Sequence, residues 1–430
     1  MSQPDRPETR SPMTWVPTLY FAEGLPFYAV ALIAGLMYKS LGVPNDQIAR
    51  WTGLIGFAWV LKPLWSPLLE LAATKKSMVV LFQLAGAAGL GGVALALQLP
   101  GWFVLSLAVL ALAALAAATH DIAADGLYIA SLSTTQQAQY VGWQGAFFNA
   151  ARLIASGGLL VLAGTLERRM PPAQAWTLIF GLVGATMALL ALYHARVLPV
   201  GRNAPRDDAR TRAIWATFWE VSVDFVRKPG IWLACLFIVL FRVGEGQVQT
   251  IGPLFLREAR ALGGLGLTTD QVGWAYGTAG TVAFLVGSVI GGYFSAWLGL
   301  KRAMPVLIVA MCLPNVVFLY LSSALPSDLT LITAAVALES FGYGFGFVGM
   351  ILFIMQVVAV GRYPTAHYAL GTAVMQLGVV LSKTVSGDIQ AALGYRPFFV
   401  WALVAALPVL VLAFFLKLDA APAAAVPAAV

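Results

Sequence analysis

From about residue 13 to about residue 416 the chain is a series of apolar runs, each of helical length, joined by short polar stretches. Twelve runs are expected, roughly 13–38, 48–71, 78–99, 102–129, 139–166, 176–194, 231–255, 271–298, 304–325, 329–358, 366–392 and 397–416. About 20 apolar residues in an α-helix cross the hydrocarbon core of a bilayer. A helix is favoured there because its backbone satisfies every N–H and C=O internally. The 430 residues are 60% hydrophobic and 10% charged, whereas soluble domains carry about 25% charged residues. No aqueous core hides that much apolar surface. The runs are too long for the short alternating strands of an outer-membrane barrel. The expected class is an all-α polytopic membrane protein with twelve transmembrane helices.

The two halves of the chain repeat one another. Glu23-Gly24 matches Glu245-Gly246, and Asp46-Gln47-Ile48 matches Asp270-Gln271-Val272. Lys75-Lys76-Ser77-Met78 matches Lys301-Arg302-Ala303-Met304, and Ala138-Gln139-Tyr140 matches Ala366-His367-Tyr368. Four matches in one order at a nearly constant offset describe two six-helix pseudo-repeats. The expected organisation is an N-terminal segment 1–12, a six-helix bundle 13–194, a linker 195–230, a second bundle 231–416 and a disordered Ala/Pro/Val tail 417–430. The linker's second half, with Ile214, Phe218, Val221 and Phe225 among charges, reads either as an amphipathic surface helix or as a solvated connection.

An even number of spans puts both termini on one side. With the termini inside, 15 Lys and Arg fall on the cytoplasmic side, 7 on the opposite side and 4 within spans. That asymmetry places both ends in the cytoplasm. It also accounts for the net charge of +7 without nucleic acid. The first twelve residues lack a cleavable signal pattern. Cys235 and Cys312 both lie in apolar runs and suggest neither a disulfide nor a metal site. No metal cluster, catalytic triad or nucleotide loop is legible, so neither an enzyme nor ATP-driven pumping is expected and no cofactor is implied. The Gly342-x-Gly344-x-Gly346 run sits inside a span, where close helix packing is expected.

Five carboxylates lie inside spans: Glu23, Asp121, Asp125, Glu245 and Glu339. A charge near the bilayer centre costs at least about 2.5–3.5 kcal/mol and normally faces a bundle interior or a wet cavity. Asp121 and Asp125 are four residues apart and project from one helix face. Close, buried carboxylates raise each other's affinity for a proton, which suits proton coupling; a hydrogen-bonded structural pair is the other reading. Four bases are also within spans: Lys62, Arg152, Arg242 and Lys383. Each is open to a structural ion pair or to contact with an anionic ligand. Glu23 and Lys62 are an expected pair. Arg242 stands three residues from Glu245, and its guanidinium fork matches a carboxylate or phosphate. Trp143, Gln144 and Tyr343 suit a glycan surface or plain interhelical packing. His120 suits proton shuttling or hydrogen bonding.

Four stretches stand out: Leu19-Tyr20-Phe21-Ala22-Glu23-Gly24-Leu25-Pro26, Leu61-Lys62-Pro63-Leu64-Trp65-Ser66-Pro67-Leu68-Leu69-Glu70, His120-Asp121-Ile122-Ala123-Ala124-Asp125-Gly126 and Thr365-Ala366-His367-Tyr368-Ala369-Leu370. Together they resemble one branch of the major facilitator superfamily, the AmpG-type muropeptide permeases and their acetyl-coenzyme A transporter relatives. The chain departs from that pattern at Glu70, where Asp is common, and at Gly126, where Ala often follows the second Asp. The resemblance implies that spans one, four, seven and ten line a central cavity, and these are the spans that hold the five carboxylates.

The resemblance further implies a monomeric inner-membrane symporter importing peptidoglycan or glycan breakdown products, such as anhydro-muropeptides or amino-sugar oligosaccharides. A siderophore or acyl-coenzyme A carrier is the alternative cargo class. The expected proton-coupling residues are Asp121, Asp125, Glu23 and Glu245. Substrate contacts are expected from Arg152, Arg242, Lys62, Gln144, Trp143, Tyr343, Glu339 and Lys383. Gating is expected from Glu70, Lys75, Gly24 and Pro26.

Overall fold

The computed structural model describes residues 11–70, 74–201, 208–413 and 415–416. Most of the expected N-terminal segment, and the expected tail 417–430, lie outside the described residues. In chain order the helices are α1 (Pro12–Ser40), α2 (Asn45–Ile55), α3 (Phe57–Glu70), α4 (Lys75–Ala96), α5 (Trp102–Ser131), α6 (Thr135–Glu167) and α7 (Pro172–Val197). There follow α8 (Asp208–Arg227), α9 (Ile231–Arg257), α10 (Thr269–Leu298), α11 (Leu300–Ala324), α12 (Leu329–Val358), α13 (Pro364–Leu393) and α14 (Tyr395–Ala413). Eleven of them are long and apolar enough to cross a membrane. The expected second span, 48–71, falls on α2 and α3, two shorter helices that meet at Gly56 and are not among the eleven, so the count of twelve fits but is not confirmed. Among the described residues there is no strand, as the apolar runs require.

Local signals set the helix ends. Ser133 and Gln136 form a reciprocal capping box at the start of α6, and Thr268 and Gln271 do the same for α10. Such boxes satisfy two of the orphan N–H groups at a helix start. Four stretches widen into π-helical turns: 29–33 in α1, 153–159 in α6, 273–280 in α10 and 354–358 in α12. The first follows Pro26, whose missing N–H already interrupts the ladder.

The chain forms two compact units. Residues up to Met37 with Leu64–Ala216 make the first; Tyr38–Pro63 with Thr217 onward make the second. In the first unit α4 packs between α5 and α7, and α1 packs on α6. Its core includes Trp15, Leu19, Tyr20, Ala123, Leu127 and Tyr128. In the second, α12 packs between α10 and α11, α9 packs on α13, and α2 lies along α13. Its core includes Phe237, Phe241, Met304, Met350 and Phe353. The α2 segment, which the repeat assigns to the first half, therefore makes its contacts in the second unit.

The repeat is visible in packing. A Cβ on Gly24 of α1 would stand 2.9 Å from Ala151 Cβ on α6. A Cβ on Gly246 of α9 would stand 3.0 Å from Ser382 Cβ on α13. Equivalent glycines thus seat equivalent helix pairs. The Gly-x-Gly-x-Gly run is a packing device: a side chain on Gly344 would collide with the Phe284 carbonyl of α10, and one on Gly346 with the Leu307 carbonyl of α11. Small residues allow such backbone approach.

Of the 195–230 stretch, residues 208–227 are helical. Val221 and Phe225 are buried in the second unit, while Trp219 is 69% exposed. Lys228 follows the helix and donates to the Val358 and Val360 carbonyls at 2.7 and 2.6 Å. It closes the C-terminal end of α12, where free carbonyls favour a cation.

Candidate functional site

In the first unit the polar residues gather on α5. Asp121 is 8% exposed, whereas Asp125, one turn on, opens to the surface. The two acids therefore share a helix face but not an environment. Tyr20 on α1 donates its hydroxyl to Asp125 Oδ1 at 2.8 Å, and Gln144 on α6 donates to the same oxygen at 3.4 Å. Gln144 is thus directed at a carboxylate. Trp143, its neighbour, is 42% exposed and lies 6.0 Å from the Phe147 ring. Thr119, two residues before Asp121, accepts from the Trp65 indole at 3.2 Å.

Of the expected gate residues, Lys75 falls beside this site. Lys75 Nζ rests against Gly126: a Cβ there would be 3.3 Å away. Gly126, where the family often has Ala, leaves room for this lysine beside Asp125. Glu70 ends α3, but its side chain lies outside the described residues. Glu23 is half-buried on α1 between the buried Ala22 and Gly24, with Pro26 inside the same helix. Arg152 is the last α-helical residue before the π turn of α6. His120 is buried, and neither ring nitrogen reaches a hydrogen-bond partner. His194 is held by Gln83 and by Thr18, the latter at 3.0 Å.

The second unit holds a tighter cluster. Arg242 and Glu245 on α9 and Glu339 on α12 are 4%, 2% and 3% exposed. Asn315, from a 3₁₀ turn inside α11, donates to Glu245 Oε2 at 3.1 Å. Ser340 donates to Glu339 Oε2 at 3.1 Å. The Glu339 and Gln249 side chains also lie near the Glu245 carboxyl. Arg242 is near enough to act on Glu245 by its charge; its guanidinium carbon is 5.3 Å from the ring centroids of both Tyr343 and Phe347, and Nη1 donates to the Tyr343 hydroxyl at 3.3 Å. Cation–π contact of this kind is stronger where water is excluded. Lys62 on α3 and Lys383 on α13 also belong to this unit and are half-buried.

A third polar cluster joins residues that no motif singles out. Lys39, at the end of α1, binds Glu258, just past α9, at 2.5 Å. Tyr395 donates to the same Glu258 oxygen at 2.9 Å, and Asn45 donates to Tyr395 and to Gln390 at 2.7 and 2.9 Å. Arg50 pairs with Asp388 along the same α2–α13 contact. Lys39, Asn45, Arg257, Glu258, Gln390 and Tyr395 are among the residues that line a cavity of about 790 Å³. Burial pushes the Glu258 carboxyl up, but the Lys39 hydrogen bond and charge, with the Tyr395 hydroxyl, outweigh it and hold the group below the usual carboxylate range. Lys39 and Glu258 are 219 residues apart in the chain, so no local pattern pairs them. The only available signal was the concentration of polar side chains in the loops after spans one and seven. Among the described residues no group of His, Cys, Asp or Glu is arranged to hold a metal.

Known proteins narrow the class. No family model matches the chain. It is 25% identical over 410 residues to the anhydromuropeptide permease of Escherichia coli K12, covering 92% of this chain and 77% of that protein. It is 22% identical over 411 residues to a Rickettsia felis protein named as the transporter AmpG 4, covering 93% and 95%. Among solved structures, a bacterial homologue of the human lysosomal transporter Spinster superposes with a TM-score of 0.73 at 14% identity, covering 96% of this chain and 97% of that one. The nucleoside transporter NupG gives 0.66 at 17%, covering 93% and 98%. The peptide transporter POT with sulfate gives 0.68 at 13%, covering 96% and 95%. At such identities the structures speak for the fold alone. The chain has the major facilitator fold and is a homologue of the AmpG-type permeases, which are transporters and not enzymes.

Proposed function

We propose that this protein is a proton-coupled secondary transporter of the bacterial inner membrane that imports anhydromuropeptides or closely related amino-sugar products. Both termini face the cytoplasm in this reading, on the strength of the Lys/Arg asymmetry. The observation that carries it is the pairing of a buried arginine with aromatic faces: Arg242 over Tyr343 and Phe347. An anionic sugar derivative needs a fork of donors for its carboxylates and flat apolar surfaces for its rings. The likeness to an anhydromuropeptide permease across 92% of the chain supports the same cargo. Arg152, Trp143 and Gln144 supply the corresponding groups in the first unit, and Lys62, Lys383 and Glu339 complete the polar lining.

Symport also needs a carboxyl that gains and loses a proton within the cycle. Asp121 fits: it is enclosed, and Asp125 one turn away is exposed and hydrogen-bonded to Tyr20. Glu23 and Glu245 are equivalent in the repeat and serve as further candidates. Lys75 beside Gly126 gates the Asp125 end, with Glu70 in the same connection and Gly24 and Pro26 shaping α1. Alternating access is the mode of transport in this reading.

Uptake of a labelled anhydromuropeptide into energised vesicles tests the reading. Accumulation is expected with an imposed inward proton gradient and is expected to disappear when an uncoupler collapses it. Uptake indifferent to the gradient overturns proton coupling; absence of uptake for this cargo alone overturns the substrate.

A further inference from the structure

Helix α8 packs one face and presents another. Val221 and Phe225 are buried, and Phe225 joins the core that holds Phe237, Met350 and Phe353. His367, from the Thr-Ala-His-Tyr stretch at the start of α13, fastens that side. Its Nε2 donates to the Val221 carbonyl at 3.3 Å and lies 3.6 Å from Asp224, and its ring is 5.6 Å from that of Phe225. Arg362 pairs with Glu220 at 2.6 Å, and Lys228 ties the end of α8 to the end of α12. The helix is therefore held where α12 ends and α9 and α13 begin, at the level where these three spans leave the bilayer. Its other face carries Trp215, Trp219 and Val226, which are 38%, 69% and 44% exposed. At about 100° per residue they project within about 40° of one another, roughly a third of a turn from Val221 and Phe225. The stripe continues past the corner onto α9, where Trp232 and Leu236 are 71% and 48% exposed. Because α9 is a span, those side chains face lipid. Arg212 and Arg227 are exposed on α8, and their spacing puts them on the flank of the stripe away from the packed side.

We propose that α8 is seated in the surface of the bilayer, with the Trp215, Trp219 and Val226 stripe among the upper acyl chains and Arg212 and Arg227 on the phosphates of anionic phospholipid. An amphipathic helix in this position buries its apolar face about 5–10 Å into the boundary between headgroups and chains. Indole rings favour the same level, with an apolar body in lipid and an N–H in reach of headgroups. A guanidinium fork matches a phosphate, and a basic segment is drawn to an anionic leaflet. The acids of the helix, Glu220 and Asp224, are met by Arg362 and His367 from the 362–367 stretch, so they do not set a negative charge against the headgroups. Lipid fits this face better than a soluble partner does, because the stripe runs unbroken into the lipid-facing side of α9. A protein covering it would have to enter the membrane. In the orientation proposed above the leaflet is the cytoplasmic one. His367 is then a positioning residue: it fixes the depth and rotation of a helix that lies on the membrane and not in the cytosol. The inference holds whatever the cargo.

The test uses the full-length protein, one copy per nanodisc of phosphatidylethanolamine and phosphatidylglycerol. Nitroxide labels are placed at Val226→Cys on the stripe and at Thr217→Cys off it, in a Cys235→Ser/Cys312→Ser background. The Val226 label is expected to be relaxed by oxygen more than by a water-soluble nickel chelate, and the Thr217 label the reverse. A Val226 label as open to the chelate as the Thr217 label overturns the seating. So does one shielded from both agents, which would mean that the chain itself covers the stripe. The headgroup arm measures phosphatidylglycerol retained by the protein in native mass spectrometry, with phosphatidylcholine as the neutral comparison. Arg212→Ala and Arg227→Ala are each expected to weaken phosphatidylglycerol retention about fivefold and to leave phosphatidylcholine unchanged. Arg302→Ala, which removes a base outside α8, is expected to leave both unchanged. Equal losses in all three variants, or none in any, overturn the phosphate contacts. This arm keeps the native cysteines, so it decides the matter if the labelled background does not fold; Arg227→Gln replaces an alanine variant that does not.

Discussion

Tyr20 holds Asp125 by a 2.8 Å hydrogen bond that joins α1 to α5 across 105 residues of chain. The carboxylate is exposed and the tyrosine is 2% exposed, so the bond fixes a solvent-facing acid to a rigid phenol. Tyr20→Phe removes the donor and little else. A loss of about 0.5–1.5 kcal/mol in unfolding free energy is expected, within the usual range for one hydrogen bond. In a double-mutant cycle with Asp125→Asn, the two changes are expected to be non-additive. Additive losses in thermal unfolding would show that the bond carries no energy.

Asp121→Asn keeps the size of the side chain and removes its proton chemistry. Gradient-driven uptake is expected to fall to background while counterflow exchange of labelled for unlabelled substrate survives. Proteoliposome assays separate the two. Full retention of gradient-driven uptake excludes Asp121 as the essential carrier.

Arg152→Ala and Arg242→Ala are expected to weaken binding of an anionic cargo more than that of a neutral analogue. The expected difference is about tenfold or more for each charge-assisted hydrogen bond removed. Calorimetry with both ligands is the measurement. Equal weakening for the two ligands would point to a structural role for the arginine.

The Lys39–Glu258 pair has a predictable pH response. Its carboxyl titrates below the usual range because Lys39 and Tyr395 outweigh the effect of burial. A group with a depressed folded pKa stabilises the folded state above its unfolded pKa, about 4.3 for Glu. That stabilisation is lost as pH falls through the lower folded value. Unfolding midpoints followed into acid are expected to drop in wild type. Glu258→Gln is expected to start lower at neutral pH and to lose this part of the acid slope. Parallel acid slopes in the two proteins would show that Glu258 is not the group responsible.

Gly344→Val places a branched side chain against the Phe284 carbonyl of α10. Overpacking of this kind typically costs about 1–3 kcal/mol. A lower unfolding midpoint and a reduced yield of folded protein are expected. Gly91→Ala, whose added Cβ meets nothing within 4 Å, is the matched control and is expected to leave the midpoint unchanged or slightly raised. Equal midpoints for the two variants would show that the α10–α12 approach does not need the glycine.

The apolar runs, the repeat matches and the glycines by themselves determined a helical polytopic fold with two related halves. The reason is that in hydrocarbon a backbone has few ways to satisfy its polar groups, so length and hydropathy suffice. The buried carboxylates were legible for the same reason, because a charge in an apolar run is conspicuous. Their partners were not. Asn315 serves Glu245 across 70 residues, and Lys39 reaches Glu258 across 219; such pairings depend on which helices pack together. The equivalence of Glu23 and Glu245 followed from the repeat, yet only tertiary packing set Glu245 near Glu339 and Arg242 beside Tyr343. It likewise separated Asp121 from Asp125, one enclosed and the other exposed, although their spacing puts both on one face. Sequence spacing sets the direction in which a side chain leaves its own helix; whether it meets water, a ring or a second acid is decided by the neighbouring helices.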